Sequence, residues 1–175
     1  NRPEILKKSI NSLKKNKLVE KSMIYIFSDG AKKNSKDKIL VNKVRKIVRN
    51  TKNLNIKKVV FHKSNIGLKK NIISGINFVL KKNKKIIVLE DDIYLSPNFL
   101  KYMNRSLEFT KRKKNIWHVS AWNYPIKIKK KNSNDVFLWQ NMNCWGWGTH
   151  RKYWKKINSN PNFFIKNFSK KNIND

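Results

Sequence analysis

The chain has 175 residues, 42 of them Lys or Arg against 10 Asp or Glu, for a formal charge of +32. Hydrophobic residues make up 39%, with six Trp and nine Phe, so a disordered basic tail is excluded; the length suits one domain with a core and is short for two. Cys144 is alone, which excludes an intramolecular disulfide and any zinc-ligand spacing, and no apolar run approaches the ~20 residues of a membrane span.

In chain order, Pro3 at a first helical turn, Glu4 behind it and the stripe Leu6, Ile10, Leu13 predict a helix over about residues 3–15. Met23-Ile24-Tyr25-Ile26-Phe27 reads as a strand stopped by the turn signal Ser28-Asp29-Gly30. Leu40, Val44, Ile47 and Val48 mark a second helix, Val59-Val60-Phe61 a second strand and Leu68 to Leu80 a third helix. Lys85-Ile86-Ile87-Val88-Leu89 then reads as a buried strand that runs directly into Glu90-Asp91-Asp92. Ser96-Pro97 supplies an N-cap and a first-turn proline for a helix with Phe99, Leu100, Met103 and Leu107 on its apolar face. Residues 116–121 are the next strand, 127–135 a charged loop, Val136-Phe137-Leu138-Trp139 another strand and Trp145-Gly146-Trp147-Gly148 a tight turn. A last helix begins near Thr149 and includes Tyr153, Trp154 and Ile157; beyond Asn158 no period is evident.

Strands alternating with helices of ten or more residues predict an α/β fold with a mostly parallel sheet and right-handed crossovers. Because the chain opens on a helix, the first strand of the unit is expected just upstream of Asn1, and the chain is expected to be part of a longer protein, truncated at both ends. The basic residues are mostly Lys, spread along the chain among many Asn and Ile, which reads as compositional bias. The dense cluster is Lys127, Lys129, Lys130 and Lys131. Whatever its origin, the charge attracts anionic membranes, nucleic acid and phosphorylated ligands over a Debye length of ~8–10 Å. The lone thiol and the lack of a signal-peptide pattern predict a reduced, cytoplasmic setting, and the charge an electrostatic association peripheral at the inner face of the membrane.

Glu90, Asp91 and Asp92 have two readings: a solvated acidic turn, or a metal site delivered to the carboxyl end of a strand, where open α/β sheets bind ligands. Five segments in order decide how we read them: Asn1-Arg2-Pro3 before a helix, Phe27-Ser28-Asp29-Gly30 at a strand end, Ile87 to Ile93 with Ser96-Pro97-Asn98-Phe99, Val119-Ser120-Ala121-Trp122-Asn123, and Cys144-Trp145-Gly146-Trp147-Gly148. Together they resemble the nucleotide-sugar glycosyltransferases of the GT-A fold, most of all relatives of N-acetylglucosaminyltransferase I and bacterial family 2 enzymes. The resemblance spans nearly the whole chain.

That resemblance implies a single GT-A-like domain over residues 1–175, with 1–95 the nucleotide-sugar-binding part and 96–175 an incomplete acceptor-side part. It implies Mn²⁺ or Mg²⁺ held by Asp92, with Glu90 and Asp91 on the ribose and donor sugar, transfer with inversion from a nucleotide-sugar donor for which GlcNAc from UDP-GlcNAc is the first expectation, and a glycan, lipid-linked or protein acceptor. By the same resemblance Asp29 accepts from the imide N–H of uracil, against the plainer reading of an Asx turn beside Gly30. Arg2 pairs with the diphosphate, against a solvated terminal arginine. Asn65, Gly67 and Lys70, between a strand and a helix, suit an anion at a helix N-terminus, or are a simple helix entry. Trp122, Asn123, Trp145, Gly146 and Trp147 wall the acceptor side, against ordinary aromatic core. Trp154 reads as core and His118 as a packed histidine.

An inverting transferase needs a general base. In the resembling enzymes it follows the segment matching Trp145-Gly146-Trp147, where the only later acid here is Asp175, so no catalytic base is assigned and the base is expected downstream of Asp175. Two other readings stand beside this one: a basic protein binding nucleic acid or an anionic surface, against which the acid triplet argues, and a metal-dependent nucleotidyltransferase, which leaves the Trp-Asn and Trp-Gly-Trp-Gly segments unexplained.

Overall fold

The computed structural model describes residues 1–125 and 136–157. The Lys127–Lys131 cluster, the charged loop 127–135 of the sequence reading, Asp175 and the segment beyond Asn158 lie outside the described residues. The elements are α1 (Pro3–Lys14), a 3₁₀ turn (Val19–Lys21), β1 (Ile24–Ser28), α2 (Ser35–Arg49), β2 (Ile56–Phe61), α3 (Leu68–Lys82), β3 (Lys85–Val88), α4 (Phe99–Thr110), β4 (His118–Ser120), β5 (Trp147–His150) and α5 (Arg151–Trp154). α1 starts on Pro3 with Glu4 in its first turn, which favours the positive end of the helix dipole. α2 is capped by Asn34, whose side chain accepts from the Asp37 backbone N–H. Among the described residues no helix is long and apolar enough to cross a membrane.

The sheet is not mostly parallel, as the alternation of strands and helices predicts. β1 and β2 form a parallel pair, while β3, β5 and β4 form a separate three-stranded sheet in that order, with β5 antiparallel to both neighbours. The reason lies in the excursion between β4 and β5. It leaves at Ala121 and returns at Gly146, and the Ala121 N–H donates to the Gly146 carbonyl at 3.0 Å, so the chain re-enters at the end it left and must run back against β4.

Trp147–His150 is therefore the central strand of that sheet rather than part of a tight turn. Gly148 is a packing residue: a Cβ there would lie 2.8 Å from the Ile86 carbonyl oxygen and 3.1 Å from Leu107 and Met103, so its absence lets α4 and β3 close on β5. Val136–Trp139 is exposed and belongs to no strand. Its β propensity is not realised, because such a run forms a strand only against a neighbouring one and none of the described strands pairs with it.

Two apolar clusters hold the fold. Phe99, Leu100, Met103 and Leu107 of α4 pack with Val119 of β4 and Val19. Ile76 and Leu80 of α3 pack with Trp147, and Ile72, Ile86, Val88 and Trp154 close around them. His150 is buried at the end of β5, its Nε2 3.4 Å from Thr110 Oγ1, and His118 is half-buried in β4. Burial holds both imidazoles below the ordinary histidine value. The folded chain thus binds fewer protons than the unfolded chain between the depressed values and about 6.5, and stability is lost as pH falls through that window. We expect the urea midpoint to fall between pH 7.5 and pH 5, with part of the slope removed in His150→Gln; a midpoint flat across that range would show that the histidines are not coupled to folding.

Candidate active site

The acid-bearing loop after β3 is held by side chains from α1 and the residues just beyond it. Ser9 Oγ donates to the Ile93 carbonyl at 2.8 Å, and the Leu95 N–H donates to Ser12 Oγ at 3.1 Å. Asn16 is buried, donates through Nδ2 to the Ser96 carbonyl at 3.0 Å and accepts the Leu100 N–H on Oδ1 at 3.0 Å. This corrects the expected Ser96-Pro97 cap. The residue flanking α4 is Asn98, which makes no capping bond, and Asn16 satisfies a first-turn N–H from a distance instead. Nothing local in the sequence signals this contact, since its partner lies 84 residues away.

At the end of β3, Arg2 reaches both aspartates: its guanidinium donates to Asp91 at 2.8 Å and to Asp92 at 2.9 Å. Hydrogen bonding and charge from Asp91, then Asp92, raise the arginine's already high pKa. The pairs are far from desolvated, at 46% side-chain exposure for Arg2, 39% for Asp91 and 41% for Asp92. Such pairs stabilise a fold by about 1 kcal/mol or less, so the guanidinium is readily exchanged onto another anion. Glu90 is half-buried beside them, and its carboxyl is raised above the usual range, first by desolvation and then by the charges of Asp92 and Asp91, with Arg2 opposing.

Beyond β1 lies a second polar cluster. Asp29 accepts from the backbone N–H groups of Gly30 (2.7 Å) and Ile66 (2.9 Å) on Oδ1 and of Gly67 (2.9 Å) on Oδ2, and so ties the loop after β1 to the entry of α3. The bond to Gly30 is the local turn contact of the plainer reading, but the other two are long-range, and one lone pair of Oδ2 is left over. Asn65 Nδ2 donates to the Gly30 carbonyl at 3.0 Å, Gly67 flanks the first turn of α3, and Lys70 is exposed within that turn. Arg45, which the sequence reading passed over, donates to the carbonyls of Asp29 and His62 and lies over the Phe61 ring, joining the ends of β1 and β2.

The first two residues connect the clusters. Asn1 hydrogen-bonds through its side chain to Asp37, which also accepts the Lys32 N–H, while Arg2 binds the acids beyond β3. Asp37 is held below the usual carboxylate range by these bonds, Asn1 first.

On the other side, Trp122 is half-buried and meets Trp145 edge-on at 4.3 Å and Tyr124 at 4.8 Å. Asn123 is exposed and Trp145 is 53% exposed, whereas Gly146 is buried with a left-handed φ of 72°. Trp147 does not join this wall. It is 5% exposed and packs into the α3 cluster, because the left-handed Gly146, φ 72°, breaks the extended backbone between Trp145 and the first residue of β5; the acceptor-side expectation for Trp147 is corrected to core. Trp154 packs beside it, as its helical position predicts. Among the described residues no three Asp, Glu, His or Cys side chains converge to hold a metal ion.

No curated protein matches the chain, and no solved structure does. The match that exists is to a family profile, that of the GNT-I family, and it covers residues 1–170, the two polar clusters and the tryptophan wall included. The chain therefore belongs to the GNT-I family and is a glycosyltransferase, using a nucleotide sugar as donor and a glycan as acceptor.

Proposed function

We propose that the protein is a metal-dependent transferase of GT-A architecture that moves GlcNAc from UDP-GlcNAc to an acceptor hydroxyl with inversion at the anomeric carbon. The observation that carries this reading is the Arg2 guanidinium seated on Asp91 and Asp92 at the carboxyl end of β3. A phosphate-gripping group and a pair of hard oxygen donors lie within hydrogen-bond distance of each other, an arrangement suited to a diphosphate and a divalent ion together.

Mn²⁺ or Mg²⁺ fits the donor set. Carboxylate oxygens suit either ion, and the crowding that raises Glu90 would be relieved by a positive charge. Asp92 would hold the ion, and because among the described residues no group of three ligating side chains converges, diphosphate oxygens would complete the shell. When bound, the ion neutralises charge that grows on the departing diphosphate. Arg2 would exchange from the aspartates onto a phosphate and keep the acids oriented until then. Glu90 and Asp91 would bind the ribose and donor sugar, and the free Oδ2 lone pair of Asp29 would accept the uracil imide N–H. Asn65, Gly67 and Lys70 at the start of α3 would face the anionic part of the donor. Trp122, Asn123, Trp145 and Gly146 would wall the acceptor, with ring faces offered to sugar C–H groups. Residues 1–95 then form the donor half and 96–175 the acceptor half.

The test is calorimetry with UDP-, GDP- and CMP-sugars, with and without Mn²⁺. UDP-GlcNAc is expected to bind, and only with the ion; tighter binding of a GDP- or CMP-sugar would overturn the donor assignment. Salt separates this site from the background charge. Binding to DNA is expected to weaken steeply between 50 and 200 mM salt, by about 10³-fold or more if six phosphates are neutralised, while UDP-Mn²⁺ binding changes far less. DNA held tightly at high salt with no UDP-Mn²⁺ binding would favour a nucleic-acid role.

A further inference from the structure

One face of α2 carries cations that no acid answers. Lys38, Asn42 and Arg45 recur at i, i+4 and i+7, so they share a stripe of the helix. With Val41 of the same stripe, Ala31 from the loop after β1 and Lys63 just beyond β2, they line a cavity of about 260 Å³. No carboxylate lines it, and among the described residues none of Lys38, Arg45 and Lys63 makes an ion pair. Asp29 and Asp37, the acids on the same segment of chain, are engaged elsewhere: Asp29 by the backbone N–H groups of Gly30, Ile66 and Gly67, and Asp37 by Asn1 and the Lys32 N–H.

Arg45 is already ordered in the wall of this cavity. Its Nη2 donates to the His62 carbonyl at 2.6 Å and to the Asp29 carbonyl at 3.3 Å, and its guanidinium carbon lies 5.2 Å from the centroid of the Phe61 ring. These contacts fix the fork without neutralising it, since carbonyls and a ring carry no net charge. The Nε–H is buried and has no hydrogen-bond partner, an unmet donor on a charged group. Arg49 lies over the same ring at 4.9 Å, so a second guanidinium adds its repulsion. The charge of +32 accounts for exposed lysines anywhere on the surface, but not for a buried donor left unmet on a residue that lines a cavity.

We propose that this cavity binds one phosphate group, either free or carried by a small molecule as a monoester, and that it is separate from the donor site around Arg2 and the acids after β3. A doubly charged oxoanion answers each part of the lining. Seated against Arg45 it supplies the acceptor that Nε–H lacks, its other oxygens accept from the Lys38 and Lys63 ammoniums and the Asn42 amide, and its charge relieves the repulsion among the cations. The volume lies below the ~300–1,000 Å³ of pockets for drug-sized ligands, which suits a phosphate group rather than a whole nucleotide. Asp29 stands between the two sites: its carboxylate ties the entry of α3, and its carbonyl receives Arg45.

Nitrogen–proton correlation spectra of the side chains, recorded while the 175-residue protein is titrated with inorganic phosphate in about 150 mM NaCl, test this. The Arg45 Nε–H and Asn42 amide signals are expected to shift together along one saturating isotherm. Lys38→Gln combined with Lys63→Gln is expected to weaken that binding about tenfold or more. Lys82→Gln combined with Lys101→Gln removes the same charge at exposed positions outside the cavity, and is expected to change it less than about twofold. Neither pair makes the bonds that hold Arg45, and urea melts of both establish that folded proteins are compared. Glycerol phosphate tells the sources apart: tighter binding than inorganic phosphate points to a phosphorylated small molecule, equal or weaker binding to the free ion. The proposal fails if the Arg45 signal does not shift and saturate. It fails also if the Lys38 and Lys63 substitutions weaken binding no more than the control pair, which would leave only diffuse attraction by the charge of the whole chain.

Discussion

Asp92→Asn is expected to lower the affinity for UDP in the presence of Mn²⁺ by about 10–100-fold or more, since loss of even an outer partner of a metal ligand has an effect of that size. The substitution removes a unit of charge with almost no change of shape. It breaks the Asp92 contact to Arg2, but that contact is 41% exposed on the aspartate side, so the unfolding free energy is expected to change by less than about 1 kcal/mol. The two readouts therefore separate: calorimetry reports the site, and a urea melt reports the fold. Equal Mn²⁺-dependent affinity in the variant and the parent would remove Asp92 from the metal assignment. Asp91→Asn serves as the comparison, with a smaller loss expected because the proposed reading sets Asp91 against the donor rather than the ion.

Gly30→Ala carries the second large effect. A Cβ there would stand 2.2 Å from the backbone carbon of Ser64, 2.4 Å from its oxygen and 2.7 Å from the Asn65 nitrogen, so no flexible side chain exists to give way. One loop has to move, and with it go the bonds from Ile66 and Gly67 to Asp29. Overpacking of this kind destabilises by about 1–3 kcal/mol or more. We expect a lower urea midpoint together with weaker UDP binding, the latter persisting under conditions where the variant is fully folded. A variant as stable as the parent would mean that the two loops part without penalty.

Much of this was legible before any coordinates. Leu6, Ile10 and Leu13, or Leu40, Val44, Ile47 and Val48, repeat at helical spacing, and β1, β2 and β3 are short apolar runs between turn signals; such patterns depend only on near neighbours. Glu90, Asp91 and Asp92 stood out because acid is scarce in this chain, and Arg2 meets two of them. β5 does not show as a strand in the sequence because Gly148 and the preceding Gly146 imitate a turn, when Gly148 is glycine to admit the Ile86 carbonyl and the α4 side chains. Trp147 was misassigned along with it, since a tryptophan beside glycine looks the same in a sugar-facing wall and in a buried strand. The order of β3, β5 and β4 depends on where the chain re-enters after Ala121, and Asn16 caps a helix far along the chain. Neither leaves a local trace.

The bonds from Ser9 and Ser12 of α1 and from Asn16 just beyond it give this stretch a role out of keeping with its small polar residues. To an observer scoring the stretch by hydropathy these three positions belong to the solvent, freely exchangeable and silent. They form instead a ruler laid along the acid-bearing loop, one mark for each of Ile93, Leu95 and Ser96. A survey of random substitutions would accordingly find donor-binding defects at apparent surface serines remote from the acids in sequence. Inserting one residue between Ser12 and Asn16 would do more harm than replacing either, because it shifts the marks past each other while leaving every donor and acceptor in the chain.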